Sequence, residues 1–257
     1  AVYRSLTLPR RTTNAIIAPD GSMIAAIGSD TMLRILSEAT GVVLDSVKMP
    51  ESTLPVSVQF TPDGRFVLVG CRNGSIFVFE ETECRHLITL RGIASSVSML
   101  VMHPTEPYVL GSNGRRDGRI WNITTGEEIH RVDSYGSDLT AFCFSPGSDY
   151  LIGTSGSLIR RDGMIAPSHT YTIRGSEVFN GIQTRLNDGL VCEGGKVVAS
   201  VHEDGAAWFW NRVNGTFAGK SRSIPYNAQD IDASPTSTDV VVASPFEVRI
   251  LDAEGSL

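Results

Sequence analysis

The sequence predicts an all-β fold assembled from repeated small antiparallel sheets, and three observations carry that reading. A proline turn recurs at a near-constant step: Pro19, Pro62, Pro104 and Pro146 lie 43, 42 and 42 residues apart, and Pro235 follows 89 residues later. A fixed period of this size marks a repeat architecture. Between the prolines run short stretches rich in Val, Ile, Leu, Phe and Thr, cut by Gly, Pro, Asn and Asp turns, which is the pattern of short strands. No segment longer than about a dozen residues sustains the apolar period of a helix.

The units follow one another along the chain. "IIAPDGSMIAAIG" opens the first, and "QFTPDGRFVLVG" lies in the second, where "VSVQF", "RFVLVGC", "SIFVFE" and "CRHLITL" read as four successive strands. "VMHPTEPYVLGS" and "CFSPGSDYLIGT" begin the third and fourth. A proline-free copy, "LVCEGGKVVASVHEDGAAWFWN", fills the long gap with Gly194 and Gly195 at its turn, and "DASPTSTDVVVAS" begins the sixth. Within a single domain over 1–257, the units are expected near 12–48, 54–91, 96–133, 138–175, 180–223 and 228–257, the last completed by residues 2–8.

A lone four-stranded sheet cannot hide two apolar faces, so the copies must stack face to face around an axis. That is a β-propeller of four-stranded antiparallel blades. Such a ring needs its seam fastened, because an open edge invites aberrant pairing. "VYRSLTLP" reads as an outer strand without a blade of its own, and "VRILDAEGSL" ends just after a third strand. The N-terminal strand is therefore expected to close the last blade. Six blades use the chain with nothing left over; seven would need a blade from outside it.

The units resemble WD repeats. "VVASVHEDGAAWFWNRVNG" places Trp210-Asn211 where that family has its Trp-Asp pair, with Asp204 in the turn before it. "GRIWNITTGEEI" matches through Trp121-Asn122 and Gly126, while Phe79-Glu80, Leu36-Ser37 and Leu251-Asp252 take the same place in other units. The family's Gly-His pair ahead of the first strand is absent from every unit, and "SLIRRDGMIAP" is the poorest match. The resemblance implies a degenerate WD-repeat propeller whose blades are held mainly by apolar packing, and ring closure by the N-terminal strand. It also implies a role as a docking platform, with the loops after the second and fourth strands as the usual docking surface.

Composition narrows the function. The chain has 257 residues, a net charge of −6 and 41% hydrophobic content, which argues against broad nucleic-acid binding. No run of about 18 uninterrupted apolar residues is present, so no spanning helix and no membrane association is expected. "AVYRSLTLPRR" has no apolar signal core, and the start at Ala1 points to an excised or processed piece. Cys71, Cys84, Cys143 and Cys192 form no CxxC pair and read as reduced, packed thiols of a cytoplasmic or nuclear protein. The five histidines are scattered, and no HExxH, GxSxG or phosphate-loop motif occurs. No catalytic residue, metal, cofactor or small-molecule substrate is therefore expected; a propeller hydrolase would need a carboxylate cluster in its channel.

Basic residues are almost all arginine, with only Lys48, Lys196 and Lys220 as lysines. In a four-stranded meander, loops after the second and fourth strands share one face. That face collects Arg10, Arg11, Arg72, Arg91, Arg115, Arg116, Arg174 and Arg222, and Arg119, close to Arg115 and Arg116 in "SNGRRDGR", joins them as a candidate partner-binding residue. The opposite face collects Asp20, Glu38, Asp63, Glu80, Glu81, Glu106, Glu127, Glu128, Asp149, Asp252 and Glu254. Arginine's planar fork suits carboxylate and phosphate. The expectation is a non-catalytic interaction scaffold in a multi-subunit complex, docking an acidic or phosphorylated protein segment on the arginine face, with RNA contact in a ribonucleoprotein as the alternative.

Overall fold

In the second unit the turn chemistry sets the strands. Thr61 Oγ1 bonds the Asp63 carboxylate at 2.6 Å and accepts the Phe66 amide at 3.0 Å, so "TPDG" closes a tight turn between β5 (Pro55–Phe60) and β6 (Phe66–Cys71). The Asn73-Gly74 turn, with Gly74 at φ 84°, leads into β7 (Ile76–Glu80), and β8 (His86–Leu90) runs outermost. The pairing is antiparallel throughout, Val69 facing Val58 on one side and Phe77 on the other. Asx and ST turns of this kind are local hydrogen-bond devices that stop one strand and start the next.

This computed structural model describes residues 8–50, 53–115, 117–132, 139–144, 150–155, 158–163, 176–178, 186–193, 197–202, 206–211, 217–221, 230–233, 240–244 and 248–251. Among them no α-helix occurs. Two compact units divide the chain, Ala1–Asp133 and Ser134–Leu257.

The first unit holds three sheets, each a simple meander. β1 (Thr12–Ile17), β2 (Met23–Gly28), β3 (Met32–Ser37) and β4 (Val43–Lys48) form one, β5 to β8 the next. β9 (Met99–Met102), β10 (Tyr108–Ser112), β11 (Gly118–Asn122) and β12 (Glu128–Val132) form the third. First strands lie beside one another, β1 against β5 and β5 against β9. The middle sheet is apolar on both faces, as the alternation of its strands requires. Val67, Val69, Cys71, Phe77 and Phe79 pack toward the first sheet with Leu33, Ile35 and Met49. Leu68, Ile76, Val78 and Leu90 pack toward the third with Val109 and Trp121. Each such side chain contributes about 1.5–3 kcal/mol by leaving water, and the face-to-face burial is the stacking that the repeat demands.

In the second unit the meanders are β13 (Leu139–Phe144), β14 (Tyr150–Ser155), β15 (Leu158–Gly163) and β16 (Ser176–Val178), then β17 (Leu186–Glu193), β18 (Val197–His202), β19 (Ala207–Asn211) and β20 (Phe217–Lys220). A three-stranded sheet follows, β21 (Asp230–Ala233), β22 (Val240–Ala243) and β23 (Val248–Leu251). Phe209, Ala199 and Val201 pack against Ile231, Val240, Val242 and Leu251. The closing strand expected at residues 2–8 lies, but for Leu8, outside the described residues.

Candidate functional site

The site is built on connecting segments of the first unit, and each arginine there has a distinct support. Arg10 and Arg11 occupy the centre of a tight turn before β1, in which the Pro9 carbonyl accepts the Thr12 amide at 3.2 Å and the Thr12 hydroxyl at 2.7 Å. Arg11 sits at φ 71° and its carbonyl accepts the Ser29 amide at 2.9 Å. Arg72 follows β6, its amide bonded to the Leu54 carbonyl at 2.9 Å. The Gly74 amide bonds back to Cys71 at 3.2 Å, and any β-carbon at Gly74 would collide with the Ile93 carbonyl. Only glycine fits that positive-φ close approach.

Arg91 leaves β8 and donates to the Ser75 hydroxyl at 3.1 Å. Arg115 is carried by the β10–β11 loop, where Asn113 Oδ1 accepts its amide at 2.9 Å and that of Asp117 at 3.3 Å. Asn113 Nδ2 in turn reaches Ser95 Oγ at 3.1 Å, tying this loop to the segment that joins the second and third sheets.

The side chains sort into two kinds. Arg10, Arg11, Arg72 and Arg115 are exposed, and among the described residues their guanidinium groups find no ion-pair or hydrogen-bond partner. Arg119, which the sequence groups with them, lies inside β11 at 12% side-chain exposure. It is held between Asp117 at 3.2 Å and Glu128 at 2.7 Å, and Glu128 also takes Arg131 at 2.9 Å. Burial pulls the Arg119 pKa down, but the two carboxylates outweigh it and raise it above the ordinary value. For Glu128 burial pushes upward, and the hydrogen bonds and charges of Arg119 and Arg131 win, holding it below the usual carboxylate range. Asp117 Oδ2 also accepts the Ala94 amide at 3.0 Å. The network therefore staples the linker between sheets, and Arg119 is spent on structure. Arg116, Arg174 and Arg222 lie outside the described residues.

Sequence reasoning missed a second pair of this kind. Arg34 in β3 is engaged by Asp30 of the preceding turn, with both side chains about a fifth exposed or less, 17% and 20%. The hydrogen bond from Arg34 holds the Asp30 carboxyl low against the opposing effect of burial. Its signal was readable: an aspartate in the turn just ahead of a third-strand arginine, as in "SDTMLR" and "RDGR".

The opposite ends of these sheets carry acid. Glu81 is pushed up by burial, then by the charges of Asp20 and Glu80, so carboxylates crowd there. Glu128, counted with them from sequence, opens β12 and is committed to Arg119 and Arg131. Asn73 and Asn122, the asparagines of the turns after β6 and β11, accept amide protons of those turns, Ser75 at 3.1 Å and Thr124 at 2.8 Å. Cys71 and Cys84 are buried and unbridged, and burial pushes the Cys84 thiol up to about 12. Among the described residues no group of three His, Cys, Asp or Glu side chains is placed to hold a metal.

Comparison with known proteins places these loops in context. The family described as "WD domain, G-beta repeat" matches residues 47–80. Pre-mRNA-processing factor 19 of Bos taurus is 26% identical over 93 residues, 36% of this chain and 18% of that protein. Protein tipD of Dictyostelium discoideum is 24% identical over 207 residues, 76% of this chain and 31% of that protein. The chain thus matches less than a third of the length of these curated relatives. Among solved structures, U3-55K superposes with a TM-score of 0.78 at 19% identity, covering 97% of this chain and 80% of that one. The RRP9 WD40 repeats give 0.78 at 18% identity, covering 97% and 78%. At such identity the likeness is one of fold. Residues 47–80 therefore form a WD repeat, and the chain has the β-propeller fold that WD repeats build.

Proposed function

We propose that this chain is a non-catalytic WD-repeat scaffold in a multi-subunit complex, and that it docks an acidic or phosphorylated protein segment on its arginine-bearing loops. One observation carries the reading: four exposed guanidinium groups, on Arg10, Arg11, Arg72 and Arg115, have no partner among the described residues, whereas Arg34 and Arg119 of the same unit are paired. Unneutralised, solvent-facing arginines on neighbouring loops attract anionic groups and hold them by bidentate hydrogen bonds.

A place in a multi-subunit complex is supported by the likeness in fold to a chain of the mitotic checkpoint complex, at a TM-score of 0.72 and 15% identity. Relatives named for pre-mRNA processing favour the nucleus as the place of action, and they also motivate the second reading, a subunit that contacts RNA.

The test is the double substitution Arg72→Glu, Arg115→Glu, read by fluorescence anisotropy with a labelled glutamate-rich peptide and with a single-stranded RNA oligomer. Docking of an acidic segment predicts at least about a tenfold loss of peptide affinity with the melting temperature unchanged. Peptide binding indifferent to the substitutions would sink the reading. RNA binding with a steep salt dependence, and no peptide binding, would establish the RNA alternative.

A further inference from the structure

Among the described residues ten hold a backbone φ in the left-handed region, and seven of them are glycines. The exceptions are Arg11 at 71°, Thr31 at 63° and Cys84 at 44°. A β-carbon makes this conformation costly, and such residues persist only where something compensates. Cys84 stands where the neighbouring units have Gly41 and Gly126, and its side chain recovers the cost by burial, 3% exposed in the core between the first two sheets. Thr31 stands where the second unit has Gly74. It is half-buried, and its carbonyl accepts the Met49 amide at 2.8 Å, wiring the first sheet to the segment that leaves it.

Arg11 has no such return. Its side chain is exposed and unpaired. Every bond that holds its turn is made by other groups or by its own backbone: Thr12 to the Pro9 carbonyl, and Ser29 to the Arg11 carbonyl. Glycine at this position would make the same bonds without strain. What arginine adds is the guanidinium alone, on the residue that follows Arg10 in the chain. Asp30, in the facing turn, does not neutralise the two arginines, because Arg34 and the Met32 amide engage it.

We propose that the Arg10–Arg11 turn is the subsite for a phosphomonoester group on the docked segment; this rests on the arginine-face reading above and adds the identity of one bound group. Two adjacent uncompensated cations match a group carrying about −1.5 to −2 charge with three acceptor oxygens. A single carboxylate would leave one guanidinium unmatched. Because the strain resides in the backbone of Arg11 and the binding in its side chain, the two can be separated by one substitution.

The experiment uses the full chain with Arg11→Gly and, separately, Arg10→Gln, each titrated with a labelled glutamate-rich peptide carrying one phosphoserine and with the same peptide carrying serine there. Arg11→Gly is expected to raise the melting temperature by a few degrees, about 2–4 °C for a chain of this size. It should lower phosphopeptide affinity about tenfold and serine-peptide affinity by a clearly smaller factor, about threefold, because Arg11 also belongs to the docking loops. Arg10→Gln should lower phosphopeptide affinity similarly without the gain in melting temperature. Wild-type phosphopeptide affinity in both variants overturns the subsite, and if Arg72→Glu, Arg115→Glu still abolishes peptide binding, only the subsite falls. Equal losses for both peptides also overturn it, since the turn would then be a general anion contact. Displacement of the phosphopeptide by RNA oligomer, but not by excess free phosphoserine, would assign the turn to a nucleic-acid backbone instead.

Discussion

Arg115 and Arg119 lie four residues apart in "RRDGR", yet the molecule uses them in opposite ways. Arg115 is carried by a loop whose asparagine satisfies the backbone and leaves the guanidinium to solvent. Arg119 has entered β11, where the cross-strand neighbour β12 brings Glu128 within 2.7 Å and the turn brings Asp117 within 3.2 Å. The same contrast separates Arg11 from Arg34 in the first sheet. It teaches that an arginine in these sheets is a structural clamp or a solvent-facing side chain according to whether the preceding turn or the paired strand supplies a carboxylate. Residue type and loop proximity do not distinguish the two.

The largest effect expected from this division is on Arg119→Ala. Removing one member of a half-buried network leaves Asp117 and Glu128 crowded and Ala94 less firmly held, so urea unfolding should show a loss of about 1–3 kcal/mol. Acidic-peptide affinity should remain within about twofold. A substitution that spares stability but abolishes binding would break the division outright.

A smaller effect tests whether the turns, too, have a fixed charge state. His103 is buried, 2% exposed, and its Nδ1 accepts the amides of Thr105 at 3.3 Å and Glu106 at 2.8 Å, the place taken by the Thr61 hydroxyl one unit earlier. Burial lowers its pKa below 6.5, with the Glu106 charge opposing more weakly. The folded state thus favours neutral imidazole. Stability from this residue is present in full above about pH 6.5 and declines as pH falls toward the lower folded value, because the unfolded chain takes up the proton first. Thermal unfolding between about pH 7.5 and pH 5.5 should show a fall in melting temperature, and His103→Thr, which keeps an acceptor without a titrating group, should reduce that fall. An identical pH dependence in the variant would assign it elsewhere.

Smallest of all is Arg115→Ala. The melting temperature should stay within about a degree, as expected for an exposed side chain without partners. A clear destabilisation would show that the loop arginine has a structural role after all.

The repeat was legible because it rests on local chemistry. Pro62-Asp63-Gly64, Asn73-Gly74 and the apolar runs between them dictate turns and strands without reference to distant residues, and β5 to β8 fall on the runs that the sequence marks. Two apolar faces on the middle sheet were equally readable from the strand alternation. The fate of Arg119 was legible only in part, through Asp117 in the turn just ahead of it. Glu128 is nine residues away, and its approach depends on a register shift between Ile120 and Trp121 in the β11–β12 pairing. Nor does "LPRRT" disclose that Arg11 adopts a left-handed backbone, in a turn whose Arg11 carbonyl is bonded by the Ser29 amide of another turn.

Short-range patterning was thus enough to specify that small sheets form and which faces they must bury. Folding in three dimensions was needed to divide the described arginines into paired clamps and solvent-facing side chains. The reason is electrostatic: a guanidinium is neutralised by whichever carboxylate lies within a few ångströms, and for Arg119 the strand pairing brings Glu128 to that distance from nine residues away.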